Sequence, residues 1–435
     1  MSKHHSTTPV AIIGAGASGL MTAITIGRAI EASGTDPAKA GILLLDGAKK
    51  IGIKILVAGG GRCNVTHHEV DEKQYATTKP PIVRSTLKRF SAQDSMDFFN
   101  ELGVELKQEN TGKMFPITDD AHTVLDALLD ECNRLGIRIV NPWRVDRVES
   151  LNDGFIIHRA SIDQESQDSI LADRIVLATG GRALPKSGSD GQGYTIAQSL
   201  GHSITDHILP ALVPLVVAQQ SKWITELSGI STRATISAVS STGKHIKSFT
   251  NDLLCTHFGV SGPGPMDISR WFTTARLSDR HTTLMINWIP GYSFEDIDHQ
   301  LNQLGKAQVV THLRTQIPER LARTLCEQAQ IDPSTPGHTL TREARRKLAH
   351  LLTETRVFIN DDRGFTHAEV TAGGVPIEEV NRKDFRSKLC PNLWLVGEIL
   401  DVDGRIGGFN FQWAWSTGYI VGNAVAKSMM NPAHI

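Results

Sequence analysis

The sequence predicts an α/β fold, and three observations carry that prediction. Val10-Ala11-Ile12-Ile13 is an apolar run too short for a helix. It leads at once into Gly14, Gly16 and Gly19 in G-x-G-x-x-G spacing, and then into Leu20, Ala23, Ile24, Gly27 and Ile30 at helical spacing. Gly41 to Asp46 is a second apolar run and ends in a carboxylate; Asp173 to Gly181 is a third and ends in Ala-Thr-Gly-Gly. Apolar strands alternating with helical segments imply a parallel sheet. A strand, a tight glycine turn and a helix form the context in which the glycine motif means dinucleotide binding. Gly14 makes the bend, Gly16 lets backbone approach a pyrophosphate, and Gly19 lets the helix lie close on the strand. The free N–H groups of the helix start then face the phosphates.

The bulk numbers bound the class. At 435 residues the chain exceeds one ordinary domain. A 40% apolar and 21% charged composition is that of a globular protein. The net charge of −1 gives no global pull toward nucleic acid or an anionic membrane. Cys63, Cys132, Cys255, Cys326 and Cys390 are odd in number and widely spaced, with no C-x-x-C. That excludes a disulfide framework and a zinc site and fits a reducing cytoplasm, the expected location. Residues 1–9 hold no apolar signal region. The run Pro9 to Ile30 is apolar enough to pass for a membrane span, but its glycines sit where a turn is needed and Arg28 interrupts it. No membrane segment, repeat or metal cluster is expected.

In chain order, Asp46 closes the second strand, where a carboxylate accepts hydrogen bonds from a ribose. Lys49 to Thr66 carries Gly59, Gly60 and Gly61, then Arg62, Cys63 and Asn64, with Lys54 upstream. Three adjacent glycines cannot pack a core, so the reading is a second loop that contacts an anion and a ring. Cys63 has two readings: a thiol activated for proton transfer by Arg62 and Lys54, or a small buried filler. Leu87 to Leu102 reads as one amphipathic helix and Asp120 to Leu135 as another. Val145 to Leu151 is strand-like, and Phe155 to Ala160 with Ser169 to Ala172 forms a hairpin with a polar tip. Gly188 to Gly193 has no strand before it and is not read as a second dinucleotide motif.

Beyond Thr205 the texture changes to short antiparallel strands: Pro210 to Val217, Arg233 to Val239, Lys244 to Phe249, Asp252 to Thr256 and Thr282 to Trp288. Among them, Thr256 to Pro265 contains His257, either a functional base or a histidine of a crowded turn. Phe294–Leu304, Pro318–Gln328 and Arg342–Leu352 read as helices. From Lys306 to His350 there are eight Lys or Arg against four Asp or Glu. This basic stretch is either a solvated face or a contact for a polyanion. Strand signals return at Arg356 to Ile359, at Ala368 to Val375, and at Leu393 to Val396. The last runs into Gly397-Glu398, where a carboxylate suits ribityl hydroxyls. Gly404 to Gln412 opens a final helix. Gly407 and Gly408 leave N–H groups free at its start to stabilise negative charge on a reduced flavin's pyrimidine edge.

With these segments in view, the chain resembles the BaiN/RdsA family of flavoproteins over almost its full length. The carrying residues are GAGASG (Gly14–Gly19), KILVAGGGRCN (Lys54–Asn64), ATGG (Ala178–Gly181), THFGVSGP (Thr256–Pro263), EVTAGGV (Glu369–Val375) and GEILDVDGRIGGFNFQWAWS (Gly397–Ser416). Asp46 stands where Glu is more usual. The resemblance implies bound FAD and a discontinuous Rossmann-type FAD-binding domain made of residues 1–205 and 354–435. A β-barrel-like domain (206–290) and a helical one (291–353) are inserted between them. It places Gly14, Gly16, Ala17, Ser18 and Gly19 on the pyrophosphate and Asp46 on the ribose. Lys54, Gly61, Arg62 and Asn64 line the phosphate and ring side. Glu398, Gly407, Gly408 and Asn410 lie at the ribityl and pyrimidine end, and Val145, Thr179 and Gly180 complete the set.

The implied activity is hydride transfer from flavin N5 to a conjugated C=C bond, followed by a proton from a general acid, with Cys63 and His257 as candidates. The best specific expectation is uridine to dihydrouridine in ribosomal RNA. Alternatives are a steroid-like unsaturated substrate, oxidation of a small amine such as aminoacetone, and a redox-sensing flavoprotein without turnover. No second Rossmann motif is present, so a NADPH or NADH donor docks transiently. DNA and membrane are not expected partners.

Overall fold

The computed structural model describes residues 7–160 and 168–431. The chain divides into two compact units: residues up to Ile208 together with those from Val370, and Leu209–Glu369.

The first unit is built on a five-stranded sheet. Its strands are β1 (Val10–Ile13), β2 (Ile42–Leu45), β3 (Arg138–Val140), β4 (Ile175–Leu177) and β5 (Leu393–Leu395), in the order β5-β4-β1-β2-β3. All neighbours are parallel. Every residue of β1, β2, β4 and β5 is buried, which is why these segments read as unbroken apolar runs. Since β5 comes from the far end of the chain, both ends make one domain.

Helix α1 (Ala17–Ala32) packs against the C-terminal helix α2 (Phe409–Met430). Glycines set how close they lie. A Cβ at Gly418 would come within 2.8 Å of the Ser18 carbonyl oxygen, and one at Gly422 within 2.5 Å of Thr25 Cβ. Two glycines four residues apart form a groove that takes the facing ridge of α1.

Two local readings are corrected, and a third holds. Leu87 to Leu102 is not one helix. Pro80–Arg89 ends, and Ser91 caps a new helix at Ala92–Glu101, exchanging hydrogen bonds with Asp94 in a capping box. The Lys49–Thr66 loop contains a short helix from Ile53 before its glycines turn left-handed. The hairpin formed by Gly154–Arg159 and Ser169–Ala172 is present, and its tip at 161–167 lies outside the described residues.

The stretches on which the chain leaves and re-enters this unit are pinned together. Thr205 N donates to Gly374 O and Gly374 N to Thr205 Oγ1, each at 2.9 Å. Buried His202 sits between Glu379 Oε2 and Ser387 Oγ, both at 2.8 Å. This Ser-His-Glu line has the spacing of a hydrolytic triad but not its chemistry. Ser387 Oγ accepts N–H bonds from Leu389 and Cys390, so its lone pairs are occupied. It is a structural clasp.

The second unit carries a seven-stranded antiparallel sheet. Its order is Thr355–Val357, Thr283–Asn287, Ser231–Val239, His245–Thr256, Gly259–Ser261, Leu215–Val217 and Ile359–Asp362. The two edge strands are separated in sequence by Phe358 alone. The sheet therefore curls until its edges nearly meet, which is the barrel-like wrap expected. His245–Thr256 is one strand rather than two, because Asn251 and Asp252 stay paired with Ala234 and Arg233.

The division into separate β and helical insertions is corrected. Leu284 and Ile286 of the sheet, with Trp288 just beyond it, share one core with Leu321, Leu325, Leu348 and Leu352 of the helices. The return to the first unit is corrected as well. It falls at Val370, not at residue 354, because the strands at 355–362 pair with Thr283–Asn287 and Leu215–Val217. Among the described residues no helix is long and apolar enough to cross a membrane.

Candidate cofactor site

The glycine turn shows three different constraints. Gly14 has φ +107°, and a Cβ there would come within 2.3 Å of the Ala178 carbonyl oxygen, at the end of β4. A Cβ at Gly19 would lie 1.9 Å from Gly14 O. These two positions exclude any side chain. At Gly16 a Cβ would meet nothing within 4 Å. Open space thus lies in front of the start of α1, which has no side-chain cap and no acid in its first turn. That is the geometry of an anion site at a helix N-terminus. Ala17 and Ser18 form the first turn behind it.

Asp46 stands beside this turn. Its Oδ2 accepts Ala15 N and its Oδ1 accepts Ala48 N, both at 2.7 Å. Burial pushes its carboxyl above the usual range, and these two N–H bonds oppose the shift. Each oxygen keeps a further lone pair for a hydroxyl. The carboxylate therefore shapes the turn. Val145 opens the edge strand Val145–Leu151, close in sequence to Trp143, whose N–H reaches Asp46 O at 2.6 Å.

The second glycine loop runs left-handed through Gly59, Gly60 and Gly61. A Cβ would find open space at Gly60 and only the Leu56 oxygen, 3.9 Å away, at Gly61. Arg62 is committed within the protein. Its guanidinium lies 4.1 Å from the Phe115 ring centre and 2.7 Å from Glu109 Oε1. It braces the loop rather than presenting a free charge. Asn64 is buried, and its Oδ1 has no hydrogen-bond partner among the described residues. A buried amide oxygen without a partner is costly unless a ligand supplies one.

Cys63 is corrected. It is 0% exposed within the main core, and burial pushes its thiol up to about 12. Neither Arg62 nor Lys54 lowers it, since both cations are engaged by acids. The filler reading stands and the proton-transfer reading falls. Accordingly, Cys63→Ala should keep its turnover within about twofold, and iodoacetamide at about pH 8 should leave native Cys63 unmodified, because the reactive species is the thiolate. Loss of most activity in that variant would reinstate the thiol.

Lys54 and Glu398, from opposite ends of the chain, meet at 2.7 Å. Lys54 Nζ also donates to Ser189 Oγ at 3.1 Å, and Glu398 Oε1 accepts Thr371 N at 2.9 Å. The A-T-G-G end of β4 closes on the same point. A Cβ at Gly180 would be 2.9 Å from Ser189 Oγ, and one at Gly181 would be 2.9 Å from Glu398 Oε1. Thr179 in turn lies against Gly193, whose Cβ would sit 1.9 Å from Thr179 Oγ1. Ser189 and Gly193 belong to the Gly188–Gly193 stretch, which carries no dinucleotide turn yet supports this cluster. Neither Ser189 nor Thr371 was singled out from the sequence, although Thr371 lies in the EVTAGGV segment, because a lone hydroxyl carries no chemical signature of its own.

At the start of α2, Gly407 and Gly408 have φ +128° and +92°. The helix begins without a side-chain cap or an acid in its first turn. Asn410 spends its amide on the loop itself: Gly404 N donates to its Oδ1 at 2.8 Å and its Nδ2 donates to Gly404 O at 2.9 Å. Beneath lies a buried polar network. Gln412 Oε1 accepts Thr66 Oγ1 at 2.6 Å and Ser95 Oγ at 2.9 Å, while Gln412 Nε2 reaches Phe90 O and Ser416 Oγ. It ties the Asn64 loop to α2 with every member satisfied.

His257 belongs to the second unit. It is exposed on the tight turn between His245–Thr256 and Gly259–Ser261, edge-on to Phe258 at 5.1 Å.

These residues fit FAD. Two uncapped helix starts, the open space at Gly16 and the orphaned oxygen of Asn64 all lie in the first unit.

Comparison with known proteins agrees. Residues 8–424 match the HI0933-like protein Rossmann domain family. A 3-dehydro-bile acid delta(4,6)-reductase of Clostridium scindens is 32% identical over 96% of this chain and 99% of its own length. Ribosomal RNA dihydrouridine synthases of Haemophilus influenzae and Escherichia coli are 30% and 31% identical, over 96% and 94% of this chain and 98% and 95% of their own. Among solved structures, an E. coli quinol fumarate reductase FrdA variant matches with a TM-score of 0.52 at 14% identity, covering 99% of this chain and 72% of that one. This likeness shows the fold alone. The chain belongs to the HI0933-like family of FAD-dependent oxidoreductases.

Proposed function

We propose that the protein reduces a conjugated C=C bond, and that its substrate is a uridine of ribosomal RNA, reduced at C5=C6 to dihydrouridine. The observation that carries the reading is the shared chemistry of the relatives' names. Both names describe saturation of a C=C bond, which takes up a hydride and a proton. Bound FAD supplies the hydride.

The chain's own residues bind and orient. The α1 turn (Gly14, Gly16, Ala17, Ser18, Gly19) holds the pyrophosphate, and Asp46 and Val145 hold the adenosine end. Lys54, Gly61, Asn64, Thr179, Gly180 and Glu398 line the middle, with Arg62 bracing the loop. Gly407 and Gly408 present the start of α2 to the pyrimidine edge, with Asn410 fixing that loop. His257 is proposed as the proton donor on its THFGVSGP segment alone. NADPH or NADH docks transiently as donor.

RNA contact would fall on helix Arg342–Thr353. Arg342, Arg346 and Lys347 are exposed there, with Arg346 stacked on Phe294 at 4.8 Å, whereas Arg345 is held by Asp298 at 2.8 Å. The bile-acid relative favours a second reading, a small steroid-like substrate.

Stopped-flow spectroscopy separates reductase from amine oxidase. NADPH should bleach the flavin anaerobically, and reoxidation by oxygen should be slow. Rapid oxygen turnover with aminoacetone would overturn the reductase reading.

A further inference from the structure

Tyr194 lies in the helix Gln192–Ser199 of the first unit. Its side chain is 7% exposed, and its phenolic oxygen is buried without a hydrogen-bond partner among the described residues. Native folds seldom keep such a group unless something outside the chain completes it.

Its surroundings narrow the choice. The charged neighbours that bear on the phenol are Glu398, Asp401 and Arg182. With burial, the two carboxylates hold it protonated, so it is a hydrogen-bond donor. Glu398 does not take that proton, since the phenolic oxygen has no hydrogen-bond partner among the described residues, and the carboxylate is held elsewhere. Its Oε2 is bonded to Lys54 and its Oε1 to Thr371 N. Tyr194 follows Gly193, where a Cβ would sit 1.9 Å from Thr179 Oγ1, so its helix abuts the A-T-G-G end of β4, the segment that closes on the Lys54–Glu398–Ser189 cluster. Its hydroxyl has a proton to give and no acceptor among the described residues.

We infer that Tyr194 is a cofactor-contacting residue, whose hydroxyl donates a hydrogen bond to an oxygen of the ribityl–pyrophosphate chain of FAD. The inference rests on the placement of the ribityl chain beside Glu398. It also makes a distinctive energetic demand. In the apoprotein the hydroxyl is a burden; in the FAD complex it is an asset. Removing it should move the two states in opposite directions, which a merely structural tyrosine would not do.

The test uses the full chain, stripped of flavin, with Tyr194→Phe and Glu398→Gln beside the wild type. FAD affinity is read from flavin fluorescence and apoprotein stability from thermal melting. Tyr194→Phe is expected to weaken FAD binding by about tenfold, the loss of one hydrogen bond. Its apoprotein should melt at the wild-type temperature or above. An FAD affinity within twofold of wild type, or a lowered apoprotein melting temperature, overturns the inference. The latter would mean that the hydroxyl has a partner, such as a bound water, without FAD. If Glu398→Gln leaves FAD affinity unchanged while Tyr194→Phe lowers it, the placement of Glu398 fails and the phenol contact stands.

Discussion

Gly408→Ala should cost the protein its flavin. Gly408 precedes α2 with φ +92°, and a Cβ there would lie 2.6–2.8 Å from the backbone of Thr66. The left-handed backbone alone costs an alanine roughly 1–2 kcal/mol. The clash adds to this, because Thr66 cannot move aside. Its hydroxyl is bound to Gln412, its strand to Met114, and Val65 O to Trp415 Nε1 at 2.9 Å. A total of about 3 kcal/mol or more is expected, with displacement of the α2 start and an FAD affinity lower by about 100-fold. Gly243→Ala supplies the control. It has φ +85°, but a Cβ there meets nothing within 4 Å. That variant should lose only the backbone part and bind FAD normally. Equal FAD binding by both variants would mean that the α2 start does not touch the cofactor.

Lys54→Met should have the next largest effect. Lys54 and Glu398 are both less than a third exposed, so the methionine would leave a partly buried carboxylate without its counter-charge. Losing one partner of such a pair costs about 1–3 kcal/mol, below the figure for full burial. FAD affinity should fall by about 10- to 100-fold if the pair lines the cofactor. Adding Glu398→Gln should recover part of the stability, with a coupling of about 1–2 kcal/mol between the two sites. Additive losses would show that the two residues act separately.

Legibility followed the range of the interactions. The turn from Gly14 to Gly19 was readable because a strand, three glycines and a helix are adjacent in sequence and each glycine has a local steric reason. The apolar runs of β1, β2, β4 and β5 were readable because burial on both faces leaves no polar alternation. What failed depended on distant partners. Arg62 looked like a free cation until Glu109 and Phe115 came beside it. Of the two readings of Cys63, activation by its neighbours in sequence fails, because those cations are engaged by acids and the thiol faces the core. The strands at 355–362 were assigned to the wrong unit because β-propensity does not name a partner strand. Tyr194 gave no signal at all, since its interest lies in a missing bond.

The most direct measurement is dihydrouridine mapping in ribosomal RNA from a strain lacking the gene, with the gene restored in a parallel strain. The account predicts that at least one dihydrouridine disappears on deletion, returns with the wild-type gene, and does not return with Gly408→Ala. An unchanged dihydrouridine pattern in the deletion strain would contradict the RNA assignment and leave the steroid-like substrate as the reading to pursue.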